Sequence, residues 1–270
     1  MNVQRNHILR SVTVLMAVSF GLWGLTTAFI RPEVESASRN LFSYTYGLIA
    51  LWGGVVGLWV SRKWGGYKSV VGRAILMFSL GLLAQEFGQA TYSIYDAFLN
   101  VEIPYPSIGD VGWFLTIPFY FYGAWLLGKA SGTKISLKTL GGKLLAFLVP
   151  VAMLAVTYFV FLREYQLDWT QPLVTFFDFG YPLGHATYIS MAILAFFLSR
   201  KFLGGVMKNI ILLVLLAMAL QYLGDFTFLY QVITETFYWG GLYDYFFLLS
   251  YTVMTVSLIK FNSVLEAKKA

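Results

Sequence analysis

Tyr105-Pro106-Ser107-Ile108-Gly109-Asp110 is a short polar turn that carries a carboxylate into an apolar run ending at Lys129. An altered form of it, Gly240-Gly241-Leu242-Tyr243-Asp244, opens the last apolar stretch, with Asp244 following Asp110 by 134 residues, about half of the 270 present. An acidic residue at the mouth of a run of about 20 apolar residues reads as the start of a membrane span. Two such mouths half a chain apart imply a duplicated all-α membrane unit with acidic groups facing each other.

Composition agrees with an integral membrane protein. The chain is 58% hydrophobic and 12% charged with a mean hydropathy of +0.68, against roughly 25% charged residues in ordinary soluble domains. Its net charge of +6 is spread over short loops and forms no basic arm or patch, which excludes a nucleic-acid partner. With no cysteine there is no disulfide, thiolate nucleophile or Cys-type metal site.

Eight stretches are long and apolar enough to span, at approximately 9 to 30, 42 to 61, 71 to 99, 109 to 128, 144 to 162, 172 to 199, 209 to 234 and 239 to 259. With both termini cytoplasmic, sixteen of the nineteen Lys and Arg fall on the inner side and only Arg31, Arg39 and Arg163 on the outer side. Thr26-Thr27-Ala28 weakly resembles a signal-peptide cleavage site, but the preceding apolar run is long for a signal peptide, so the first segment reads as a retained anchor. No separate soluble domain is expected. The tail after Lys260 is short, which places any signalling output in another, cytoplasmic chain.

Shifting by 134 brings segment one onto segment five and Asp110 onto Asp244, and a two-residue slip aligns Gly88-Gln89 with Gly224-Asp225. Each unit, 1-135 and 136-270, has an even number of spans, so the two repeats would run parallel, as in transporters with parallel repeats. Gly53-Gly54-Val55-Val56-Gly57 and Gly180-Tyr181-Pro182-Leu183-Gly184 space small residues for close helix approach.

An ionised carboxylate at the bilayer centre costs on the order of 2.5 to 3.5 kcal/mol, so each one inside a span needs a partner, a proton or water. Glu86, Asp96, Asp110, Asp178, Asp225 and Asp244 lie within the spans, with no Lys or Arg beside them. At ~1.5 Å per residue Glu86 sits ~20 Å beyond Arg73 and Asp225 ~25 Å beyond Lys208, in the middle or outer half. Tyrosine hydroxyls from Tyr92, Tyr95, Tyr181, Tyr188, Tyr222, Tyr230, Tyr243 and Tyr245 are close enough in sequence to serve as donors. Asp110 and Asp244 read either as helix N-caps or as cavity groups. For Glu86 and Asp225 capping is unavailable and a cavity is the expectation. His185 is a ligand, a proton acceptor or a helix-to-helix donor, and Pro182 before it, like Pro118, is expected to loosen its helix. The candidate ligand-binding set is therefore Glu86, Gln89, Tyr92, Asp110, Asp178, Tyr181, His185, Asp225 and Asp244.

The run from Gly88-Gln89 through Tyr95, then Pro104-Tyr105-Pro106-Ser107-Ile108-Gly109-Asp110, resembles the multi-spanning N-terminal membrane region that precedes diguanylate cyclase (GGDEF) and phosphodiesterase (EAL) domains in bacterial signalling proteins. Tyr181-Pro182-Leu183-Gly184-His185, Asp225 and Asp244 are similar to its later motifs, so the resemblance spans roughly residues 70 to 260. Gly109 stands in place of the usual Ala and His185 in place of an Asp, and the cyclase domain is absent. The resemblance implies a sensor or receptor-like module of a bacterial cytoplasmic membrane, with no cyclase activity of its own. A cation or proton transporter and an intramembrane metallohydrolase are the other two classes that buried carboxylates allow. Neither the metal, the cofactor, the ligand nor the oligomeric state is legible in the residues.

Overall fold

The computed structural model describes residues 2–29, 37–131, 137–199 and 207–267, and every regular element among them is helical. In chain order these are α1 (Asn2–Phe29), α2 (Ala37–Thr45), α3 (Leu48–Lys63), α4 (Val70–Ser93), α5 (Ile108–Ala130), α6 (Leu140–Thr157), α7 (Pro172–Ser199), α8 (Met207–Ile233) and α9 (Leu242–Ala267). Single wide turns extend α4 through Ile94–Phe98 and α6 through Tyr158–Leu162. Taken with α2 and α3 as one broken span, the described residues contain eight helices long and apolar enough to cross a membrane. Of the basic residues that set the expected topology, Arg31, Lys134, Arg200, Lys201, Lys268 and Lys269 lie outside the described residues.

Local chemistry sets several of the starts. Ser69 and Thr139 accept backbone N–H bonds from Gly72 and Gly142 at the heads of α4 and α6, and Ser107 with Asp110 forms a capping box at the head of α5. The second span begins at Ala37, five residues before the expected start, because the polar turn Ser38-Arg39-Asn40 is already helical. Arg39 is buried there with its guanidinium 5.4 Å from the centre of the Tyr238 ring. At Pro118 and Pro182, where loosening was expected, neither helix is interrupted: α5 and α7 run continuously through both, without the N–H bond that each proline lacks. The break falls instead at Tyr46-Gly47, between α2 and α3.

Six spans form a ring in the order α3, α4, α5, α7, α8, α9 and back to α3, while α1 packs on the outside of α9 and α6 on the outside of α7. Lipid supplies no hydrophobic drive between helices, so close approach and dispersion must hold the ring together. Glycine provides the approach where α4 crosses α5: a Cβ at Gly112 would lie 2.6 Å from the Ala84 carbonyl oxygen and 2.9 Å from the Gly88 nitrogen. Gly53 and Gly57 meet Thr255 and Leu258 of α9, and Gly180 and Gly184 meet Phe114 and Ile117 of α5, as their spacing anticipates.

One end of the ring is closed. Lys63 makes a 3.3 Å ion pair with Glu266 and a 2.9 Å bond to Asn262, and Asn6 bonds both Asn262 and Glu266. The start of α1 and the ends of α3 and α9 therefore share one end of the molecule. Above them Phe78, Tyr120, Leu127, Met218, Met254 and Leu258 fill the interior with at most 1% exposure each. The Tyr105–Asp110 turn and the Gly240–Asp244 turn lie at the other end, and there the ring opens.

Candidate functional site

A cavity of about 470 Å³ occupies that open end, walled by residues of every ring span and of the loops above them. Its apolar wall is largely aromatic, with Trp113, Phe161, Phe228, Phe237, Trp239 and Phe247 among the rings. Eight of the nine expected residues line it: Gln89, Tyr92, Asp110, Asp178, Tyr181, His185, Asp225 and Asp244. No Lys or Arg does.

Helix starts aim two of the aspartates. Asp110, 2% exposed, caps α5 through Oδ2, which accepts the Ser107 N–H at 2.7 Å, the Ser107 hydroxyl at 3.1 Å and the Tyr92 hydroxyl at 3.4 Å. Its Oδ1 accepts the Tyr181 hydroxyl from α7 at 2.9 Å. Asp244, 1% exposed, accepts the Gly240 N–H and the Ser43 hydroxyl, both at 2.9 Å on Oδ2. Gly240 reaches this geometry at φ +68°, a conformation that favours glycine. The capping and the cavity readings of these two residues thus hold together.

The deeper group joins α7 to α8. Asp225 accepts the Tyr188 hydroxyl at 2.5 Å on Oδ2 and the Gln221 amide at 3.2 Å on Oδ1. His185 Nε2 stands 3.7 Å from Asp225 Oδ2, an electrostatic contact longer than a hydrogen bond. The ring is 9% exposed, and its Nδ1 is buried without a hydrogen-bond partner. Nearer the mouth, Asp178 accepts the Tyr105 hydroxyl at 2.6 Å and the Tyr165 hydroxyl at 2.7 Å.

Glu86 departs from the expected set. It does not line the cavity but faces the break at Gly47, where its Oε2 is buried without a hydrogen-bond partner. The neighbouring Gln89 donates to the Ser43 carbonyl at the end of α2, supplying a side-chain donor where the helix is interrupted. Glu86 and Gln89, three apart on α4, both meet Gly47, but only Gln89, one turn nearer the open end, also reaches the cavity. Asp96, also within a span, bonds Tyr44.

The tyrosine donors were only partly legible. Tyr92, Tyr181 and Tyr188 reach carboxylates, whereas Tyr245 bonds the Gly24 carbonyl. Tyr44, Tyr105 and Tyr165 were missed, although Tyr105 belongs to the turn that organises the chain. Burial first, and then its bond to Asp178, raises the Tyr105 phenol above its ordinary pKa, and for Tyr165 the Asp178 bond is the leading cause of the same shift.

Among the described residues no three His, Asp or Glu side chains gather closely enough to hold a metal ion. The arrangement offers hydrogen-bond acceptors, negative charge and ring faces, spread over a chamber rather than focused on one point. No protein-family model matches the chain, and neither a curated protein nor a solved structure matches it.

Proposed function

We propose that the chain is a membrane sensor or receptor-like module that takes a small cationic or polar guest into the cavity from the outer side of a bacterial cytoplasmic membrane. The observation that carries this reading is that four aspartates from four different helices line one chamber with no Lys or Arg among the described residues of its walls. Buried acids without cations mark functional cavities in membrane proteins. The resemblance to membrane regions of GGDEF and EAL proteins points to the same class.

Two further proposals complete it: both termini are cytoplasmic, and the molecule is built of two parallel four-helix repeats. The ring contacts support the repeat, while the two outer helices depart from it, α1 packing on α9 but α6 on α7 rather than on α5. Advancing each span by four turns α3–α4 into α7–α8, α4–α5 into α8–α9, and α5–α7 into α9–α3, and each of these pairs packs in the ring. The side chains agree, because Asp110 takes a hydroxyl from Tyr181 on the sixth span and Asp244 takes one from Ser43 on the second. Each half thus caps its last helix with help from the other half. A guest that changes the charge between the halves would bias their packing, a change that a separate cytoplasmic partner can read.

The closed lower core favours a receptor over a transporter, since the packed layer from Phe78 to Leu258 continues no acidic path to the other end. The test is thermal unfolding of the purified protein in nanodiscs with a panel of inorganic and organic cations, paired with flux in proteoliposomes. Stabilisation by a cation, lost in Asp225→Asn, with no flux, is the expected result. Robust uncoupled flux through the unmodified chain would establish a transporter instead.

A further inference from the structure

The cavity's chemistry goes further than its net charge, and the following rests on the proposed cation-binding reading. An ionised carboxylate has about four acceptor positions. Asp110 has four donors already, from Ser107 N–H, Ser107 hydroxyl, Tyr92 and Tyr181, so its capacity is spent on holding the fold. Asp225 has two hydrogen bonds, from Tyr188 and Gln221, and retains capacity.

His185 adds a second acceptor beside it. With Nε2 facing the carboxylate oxygen at 3.7 Å, the proton of the neutral ring belongs on Nε2, which leaves Nδ1 as a lone-pair acceptor. That nitrogen belongs to a residue of the cavity wall and has no partner within the protein, but it is itself buried, so the ring must turn for a guest to reach it. Asp225 and His185 therefore ask a guest for hydrogen-bond donors and positive charge together. A zinc-type metal ion does not meet this request, because three His, Asp or Glu side chains do not converge among the described residues. A quaternary ammonium carries charge but no N–H.

The remainder of the wall defines the rest of the guest. Phe161, Phe228, Trp113 and Phe247 present ring faces and edges that pack apolar groups and attract cations. About 470 Å³ lies within the roughly 300 to 1,000 Å³ of small-molecule pockets. We infer that the cavity is a seat for a primary ammonium ion on an apolar body of aromatic size, with the N–H groups on Asp225 and His185 Nδ1 and the body among the rings. Such an ammonium occurs on free amines and on ethanolamine lipid headgroups, although a lipid phosphate would stand beside carboxylates.

The full chain in phosphatidylcholine nanodiscs is titrated with three probes of one shape: 2-phenylethylammonium, its N,N,N-trimethyl derivative and neutral 2-phenylethanol. The primary ammonium is expected to bind at least about tenfold more tightly than the other two, and Asp225→Asn to lose that preference. Should Asp225→Asn not fold, His185→Phe, which keeps a ring and removes the acceptor, is expected to weaken the primary ammonium about tenfold while leaving the trimethyl ion unchanged. Discs containing phosphatidylethanolamine separate the sources: competition with the probe assigns the seat to the headgroup, and unchanged affinity assigns it to a free amine. Equal or tighter binding of the trimethyl ion, lost on cavity filling by Leu229→Trp, overturns this inference and leaves the cation receptor standing. Binding of no cation at all, organic or inorganic, overturns both.

Discussion

The aspartates lining the cavity differ in how many hydrogen bonds the protein gives them, four for Asp110 and two for Asp225. Asp110→Ala removes a helix cap worth about 1 kcal/mol and strands hydroxyls from two neighbouring helices, so a stability loss of about 2 to 3 kcal/mol is expected by thermal or denaturant unfolding in detergent. Asp225→Asn keeps the shape and an acceptor for Tyr188 but sets its amide against the Gln221 amide, and is expected to cost about 1 to 2 kcal/mol, less than Asp110→Ala. The mouth tyrosines add a pH dependence. Tyr105 and Tyr165 hold their protons more tightly in the fold than at the ordinary value of 10.0, so their contribution is complete below about pH 10 and disappears as the pH rises through the higher folded values. The unfolding midpoint should fall above about pH 10, less steeply in a Tyr105→Phe, Tyr165→Phe double variant than in the unmodified chain. The capping role of Asp110 was legible because Ser107 and Asp110 stand three apart at the head of an apolar run. Its bond to Tyr181, 71 residues away, was not, because sequence spacing does not say which helices are neighbours.

At the scale of the helix, hydropathy and packing carry different information. Span starts were legible to within a few residues except at Ala37, since exclusion of polar groups from lipid is a local requirement. The break at Tyr46-Gly47 was hidden because its reason lies on another helix, where Gln89 donates to the Ser43 carbonyl. The unbroken path through Pro182 was equally hidden, because a lost N–H bond is tolerated in a span that its neighbours hold in place. The α4–α5 crossing yields the sharpest element-scale test. Gly112→Ala places a methyl against the backbone of α4, which cannot rotate away, and is expected to cost about 1 to 3 kcal/mol by forcing the helices apart. Gly141→Ala near the start of α6, where a Cβ meets nothing within 4 Å, is the control and should be neutral or slightly stabilising.

For the molecule as a whole, eight similarly apolar helices do not announce which two stand outside the ring. One signal was present: the fifth span has a mean hydropathy of 2.5, the highest of the eight, and only 11% of it is buried, as befits a helix apolar on all sides that faces lipid. The first span, also 11% buried, gave no such sign at 1.7. Side-chain bonds hold the start of α1, the end of α3 and the end of α9 together, and the proposed topology, which rests on the Lys and Arg distribution, puts that end in the cytoplasm. Because the chain has no cysteine, single-cysteine variants report this directly. Glu102→Cys and Asp168→Cys, exposed in loops after the third and fifth spans, should react with a membrane-impermeant maleimide in intact cells. Gln4→Cys and Leu137→Cys, exposed before the first span and after the fourth, should react only after permeabilisation. If instead Gln4→Cys and Leu137→Cys label in intact cells and Glu102→Cys and Asp168→Cys only after permeabilisation, the cavity mouth faces the cytoplasm, where an inward-facing chamber would sample internal solutes. With the expected pattern, Tyr105, Tyr165 and Asp178 stand at an outward mouth, and the carboxylates behind them meet whatever cation the exterior supplies.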